Sequence, residues 1–134
     1  MSYSILQKTC PQKIVAVSDA SVSVSKQNLS SASPSVFGPH YWAYLHTATM
    51  HLPEHVNPAI AEHLRNVILA TPVTVPCEAC SIHSGNFISA NKDRIMALKT
   101  GSDFFNFTVD LHNFVNTRLG KRTVSYEEAR SVWK

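Results

Sequence analysis

From Phe37 onward the apolar residues recur at helical spacing, and before it they do not. Pro39 suits a helix N1 position and Pro53 suits a stop, which together predict a helix near 39–52. Along it Trp42, Leu45, His46 and Thr49 fall at i, i+3, i+4 and i+7, so Trp42 and His46 share a face. Asn57-Pro58 reads as an N-cap followed by an N1 proline. The helix it opens carries Ile60, Ala61, Leu64, Val67 and Ile68 on one stripe and ends before Pro72. Pro76 opens a third expected helix, running to about Ala90. A fourth starts at Ser102 or Asp103 and ends at Leu119, with Gly120 as its C′ residue. Its apolar stripe is Phe104, Phe107, Leu111, Phe114 and Val115, and another face collects Val109, His112, Asn113 and Asn116. A short last helix, about Tyr126 to Trp133, comes after Ser125. Helices with short links and apolar stripes predict an all-α fold, a four-helix bundle with a short fifth helix.

Residues 1–36 lack this period and are rich in Ser and Val. They read as an irregular extension, flexible or loosely packed, with a strand at Lys13–Val17 as an option. The expected division is therefore an extension at 1–36 and one domain at 37–134.

Composition narrows the function. The 134 residues suffice for one core, and 44% hydrophobic against 16% charged residues fits a compact globule. Four glycines form neither G-x-G-x-x-G nor a Walker loop, so a nucleotide-type cofactor would need another cradle. The net charge of +3 is scattered except for Arg118, Lys121 and Arg122, a cluster that suits one or two phosphates. That argues against nucleic acid as a partner. No apolar run approaches the roughly 20 residues of a membrane span, and the N-terminus lacks a secretory pattern.

The chemistry concentrates in Pro76-Cys77-Glu78-Ala79-Cys80. A C-x-x-C at a helix N-terminus brings two sulfurs within bonding reach and lowers a thiolate's pKa through the helix dipole. Alone, the motif supports redox and zinc about equally, with His83 and His112 as further zinc ligands. A thioredoxin-like fold fails, because Pro72-Val73-Thr74-Val75 is a meagre strand and no alternating βα pattern surrounds it. His112, Asn113 and Asn116 on a Phe-rich helix are costly to bury without partners. A planar, hydrogen-bonding ligand between helices accounts for them better than bundle hydrogen bonds, with Arg118 and Lys121 near its phosphates.

Several segments together resemble the Erv/ALR family of FAD-dependent sulfhydryl oxidases. They are Phe37-Gly38-Pro39-His40-Tyr41-Trp42 with Leu45-His46, Pro76-Cys77-Glu78-Ala79-Cys80, the run from Leu111-His112-Asn113 through Val115-Asn116 to Leu119-Gly120-Lys121, and Trp133. They span about residues 37–133 in the family's order. The resemblance implies a bundle holding FAD near its mouth, usually as a homodimer. It implies that Trp42, His46, Cys80, His112, Asn113, Val115, Asn116, Leu119, Lys121 and Trp133 contact FAD, with Trp133 at the adenine end. His51 stands where relatives often carry tyrosine.

The resemblance further implies that a protein dithiol attacks Cys77, that Cys80 faces the flavin, and that oxygen is the final acceptor, giving hydrogen peroxide. No resident metal is expected under this reading; the alternative is a non-enzymatic zinc module built on Cys77, Cys80, His83 and His112. No second C-x-x-C is present, and Cys10 stands alone in the extension, free by default. Electrons would then come directly from a partner such as a thioredoxin-like protein. Such stripped-down members are typical of large DNA viruses, which suggests the host cytoplasm or the virion, with the mitochondrial intermembrane space as the alternative.

Overall fold

The computed structural model describes residues 32–134. Cys10 and the strand option at Lys13–Val17 lie outside the described residues. Among the described residues seven helices run in order: α1 Pro34–Met50, α2 Pro58–Leu69, α3 Thr71–Thr74, α4 Glu78–Ala90, α5 Lys92–Ala97, α6 Gly101–Arg118 and α7 Tyr126–Val132. No strand occurs among the described residues, whose single β-bridge joins His55 to Thr100. The long helices α1, α2, α4 and α6 make the bundle, and α7 is the short fifth helix.

The caps explain most boundaries. Asn57 accepts the N–H of Ala59 at 2.9 Å ahead of Pro58, and Ser125 accepts that of Glu128 at 3.1 Å. Helix α6 opens on a capping box: Asp103 N–H donates to the Thr100 hydroxyl at 3.0 Å, and the Asp103 carboxylate accepts the Thr100 N–H at 3.0 Å. The backbone N–H groups of Thr100 and of Lys99, the latter at 3.1 Å, hold the Asp103 carboxyl below the usual carboxylate range. At the far end Gly120 takes φ +68°, Lys121 N–H folds back onto the Asn116 carbonyl at 2.8 Å, and Gly120 N–H onto Thr117 at 3.1 Å. That left-handed closure leaves Lys121 beside the last turn of α6.

Four expectations need correction. Helix α1 begins at Pro34, because Ser33-Pro34 supplies the same N1 signal more than a turn earlier and Pro39 is absorbed on an exposed face. Ile60 (51% exposed) and Val67 (47%) leave the α2 core stripe to Ala61, Leu64 and Ile68. Residues 71–74 make a helical turn, where the sequence Pro72-Val73-Thr74-Val75 reads as a meagre strand. The stretch between the third and fourth expected helices, where no helix is expected, contains α5, whose Ile95 is fully buried.

Helix α6 is the centre of the core. Phe104 and Phe107 pack with Ala61, Ile68, Ile88, Ile95 and Leu98, while Phe105 and Val109 pack with Ala129 of α7. All three phenylalanines have no exposed surface, so each contributes about 2 kcal/mol of burial within one chain. This assigns them to the core rather than to an interface between chains. Helix α1 lies along α6, and α4 packs on both α3 and α6. Their shared end carries the site.

Candidate active site

Cys77 is the N-cap of α4 and Cys80 lies in its first turn, so the two Cα atoms are 5.2 Å apart and the sulfurs are bonded. The Cys77 Sγ also accepts the backbone N–H of Cys80 at 3.2 Å. One sulfur is therefore already hydrogen-bonded at the positive end of a helix, the place where a thiolate is best supported.

Beside the disulfide opens a cavity of about 790 Å3, a size typical of small-molecule and cofactor sites. Cys80 is in its wall, and Cys77 is not. Trp42 of α1 and His112 of α6 stack inside it, ring centroids 4.0 Å apart and 6° from parallel. Tyr41 meets Trp42 edge-on at 5.0 Å and donates or accepts a hydrogen bond with Thr71 at 3.0 Å. Burial raises the Tyr41 phenol above its ordinary range, so it stays neutral. Val115, Asn116, Arg118, Leu119, Lys121 and Trp133 complete the α6 and C-terminal sides. Neither Arg118 nor Lys121 enters an ion pair with another described residue. Arg122, by contrast, is spent on Glu128.

Eight of the ten residues expected to contact a cofactor line this cavity: Trp42, Cys80, His112, Val115, Asn116, Leu119, Lys121 and Trp133. The other two stand behind it. His46 is 1% exposed, with Nε2 2.9 Å from His112 Nδ1 and Nδ1 3.0 Å from Thr108 Oγ1. Burial pushes its pKa down to about 4, helped by His112. Burial and the nearby Lys121 do the same to His112, also to about 4. Asn113 is turned to the loop before α7: its Nδ2 donates to the Val124 carbonyl at 2.8 Å and its Oδ1 accepts the Val124 N–H at 3.0 Å. His51, at the end of α1, donates Nδ1–H to the Thr47 carbonyl at 2.8 Å on the exposed surface.

Sequence reasoning missed Tyr41, Thr71, Val75 and Leu111 in the wall. Tyr41 was detectable as the neighbour of Trp42, but Thr71 and Val75 belong to the unforeseen turn α3 and its C-cap. A zinc site fits poorly. Cys77 and Cys80 are bonded to each other, and no group of three or more potential ligands gathers among the described residues.

The cavity's donor set fits FAD. A flat aromatic pair can face a ring system, a redox-active sulfur sits in the same wall, and two cations outside any ion pair among the described residues stand where phosphates could reach. Comparison with known proteins agrees. A protein of Invertebrate iridescent virus 6 named as a putative FAD-linked sulfhydryl oxidase is 31% identical over 105 residues, covering 75% of this chain and 95% of the relative. The FAD-linked sulfhydryl oxidase of African swine fever virus (isolate Warthog/Namibia/Wart80/1980) is 28% identical over 100 residues, covering 73% and 80%. The crystal structure of the yeast Erv1 core superposes with a TM-score of 0.69 at 17% identity, covering 87% of this chain and 97% of that one, and so shares the fold. The Erv1 / Alr family model matches residues 39–134, from Pro39 through the disulfide, the His112–Lys121 run and Trp133, and the chain belongs to that family.

Proposed function

We propose that this chain is an FAD-dependent sulfhydryl oxidase that converts protein dithiols to disulfides. The observation that carries the reading is the position of Cys80, bonded to Cys77 and standing in the wall of the cavity that Trp42 and His112 line. The names of the viral relatives support it.

The two sulfurs dictate the chemistry. A substrate thiolate attacks Cys77, the sulfur outside the cavity; the Cys77–Cys80 bond breaks and Cys80 leaves as a thiolate. The second substrate thiol then attacks its own sulfur in the mixed disulfide, forming the product disulfide and releasing Cys77. The Cys80 N–H, already 3.2 Å from that sulfur, and the α4 terminus stabilise it as a leaving thiolate. The enzyme dithiol now holds two electrons. FAD, when bound, supplies a two-electron acceptor that oxygen regenerates with release of hydrogen peroxide.

In this assignment Cys77 and Cys80 are catalytic. Trp42, His112, Val115, Asn116 and Leu119 would hold the ring system, Lys121 and Arg118 would meet phosphates, and Trp133 would serve the adenine end. His46 and Asn113 act from behind the cavity wall, through His112 and through the loop at Val124. The oxidase domain is taken as residues 34–134, rather than the 37–134 expected from the sequence, because α1 opens at Pro34. A thioredoxin-like protein is the proposed dithiol partner, and the family favours a homodimer. The viral relatives favour the host cytoplasm or the virion. No described helix is long and apolar enough to cross a membrane.

Purified protein should be yellow, with flavin absorbance at about 450 nm, and should consume oxygen with dithiothreitol. Cys80→Ser should keep the colour and lose the oxygen consumption. Colourless protein, or unchanged turnover in that variant, would overturn the assignment.

A further inference from the structure

Behind the cavity a chain of polar groups runs through the core from α6 to α1 and back. Thr108 has no exposed surface and His46 is 1% exposed, so every polar atom between them must find its partner inside the protein. The Thr108 hydroxyl has one proton and sits 2.7 Å from the Phe105 carbonyl, which can only accept. Its other close polar neighbour is His46 Nδ1 at 3.0 Å. Thr49 Oγ1 lies 3.4 Å away, and its one proton has nearer acceptors in the Leu45 carbonyl at 2.9 Å and the His46 carbonyl at 3.3 Å.

Two directions of donation are conceivable. If Thr108 gave its proton to His46, its lone pairs would be left with only the long 3.4 Å contact to the Thr49 hydroxyl. The Phe105 carbonyl would also lose its 2.7 Å donor, at a cost comparable to a lost hydrogen bond. If it gives the proton to Phe105, it accepts Nδ1–H from His46 and every group is satisfied. A neutral His46 then carries a bare Nε2, which accepts Nδ1–H from His112 at 2.9 Å. A neutral His112 in turn has a bare Nε2. That nitrogen has no hydrogen-bond partner among the described residues, and His112 lines the cavity.

We propose that Thr108 is a positioning residue that sets the tautomers of both histidines, so that His112 offers the cavity a hydrogen-bond acceptor at Nε2 and recognises an N–H or O–H donor on the bound molecule. The choice of FAD as that molecule rests on the function proposed above; the tautomers do not. Thr108 lies four residues before His112, one turn of α6, and touches no cavity wall. It acts only through His46.

The test is tautomer assignment by two-bond 1H–15N correlation on the flavin-bound protein labelled with 15N-histidine, at neutral pH. His46 and His112 should both carry their proton on Nδ1. Thr108→Val keeps the volume but removes the acceptor; it should move the protons of both rings to Nε2 and weaken FAD about tenfold, the equivalent of one misdirected hydrogen bond. Thr108→Ser should restore both properties. Nε2–H on His46 in the unmodified protein, or unchanged tautomers in Thr108→Val, would overturn the proposal. If Thr108→Val fails to fold, the spectra of the unmodified protein and Thr108→Ser decide. Protein that never binds FAD would refute the oxidase reading, while its histidine spectra would still test the chain from Thr108.

Discussion

Replacing Asn113 with alanine removes both hydrogen bonds that fasten the Val124 backbone to α6, at 2.8 and 3.0 Å. Val124 is half-buried and packs with Phe105, Val109 and Ala129, so its N–H and C=O do not simply turn to water. At about 1 kcal/mol for each bond, the variant should lose about 2 kcal/mol. For a chain of this length that lowers Tm by about 6–10 °C. The loss should appear in cofactor-free protein, followed by circular dichroism in the far ultraviolet, because the clip does not involve the cavity. FAD affinity should fall as well, since the segment after Val124 carries Trp133 to the cavity wall. A residue that served only as a direct cofactor ligand would leave the cofactor-free Tm untouched. A shift under about 1 °C, well below the value expected from two hydrogen bonds, would therefore refute the assignment of Asn113 as a structural clip.

Gly101→Ala should be destabilising, because its Cβ would lie 2.6 Å from the Pro53 carbonyl and 2.8 Å from that of Leu52, both backbone atoms. Urea unfolding should register about 2 kcal/mol, and an unchanged midpoint would show that this close approach is absent. Acid should weaken the fold through His46. Its pKa is lowered from 6.5 to about 4, so the unfolded chain takes up a proton first as pH falls and stability drops between those values, while remaining level above about pH 7. At about 1.4 kcal/mol per pH unit, His46 alone costs about 2–3 kcal/mol near the bottom of that window, and His112 adds in the same direction. Equal stability at neutral pH and toward the lower end of the window, by urea titration, would contradict the neutral histidine pair. Lys121→Ala should raise the FAD dissociation constant about tenfold and flatten its dependence on salt, read by flavin fluorescence; unchanged binding would remove Lys121 from the phosphate contacts.

Helices α2, α6 and α7 were legible in the sequence through their polar caps and terminal glycine, at Asn57-Pro58, Gly120 and Ser125. Helices α3 and α5 were concealed because four and six residues are too short to show a period. The start of α1 was hidden in a Ser-rich stretch, where Ser33-Pro34 looked like tail. Exposure of Ile60 and Val67 could not be read, since a helix stripe wider than its contact face looks the same on paper. In the site, residue type pointed to Cys80, Trp42, His112 and Lys121, which the structure brings into one cavity wall. It did not separate residues in the wall from those supporting it. His46 and Asn113 share the family pattern, yet one is buried behind a ring and the other holds a loop. Thr108 had no signal at all, because a β-branched residue amid phenylalanines reads as packing. Only its distances to Phe105 and His46 reveal a hydroxyl with a direction.

The central claim is that Cys77–Cys80 lies between substrate thiols and the flavin. Mixing flavin-loaded protein with dithiothreitol without oxygen, while following absorbance at about 450 nm, tests it most directly. The unmodified protein should bleach as its disulfide is reduced and regain its colour when oxygen is admitted, with hydrogen peroxide released. Cys80→Ser should hold the same flavin and bleach at least about a hundredfold more slowly, having lost the relay that positions a thiolate beside it. Equal bleaching in the two proteins would mean that electrons reach the flavin without the disulfide, and would contradict the account.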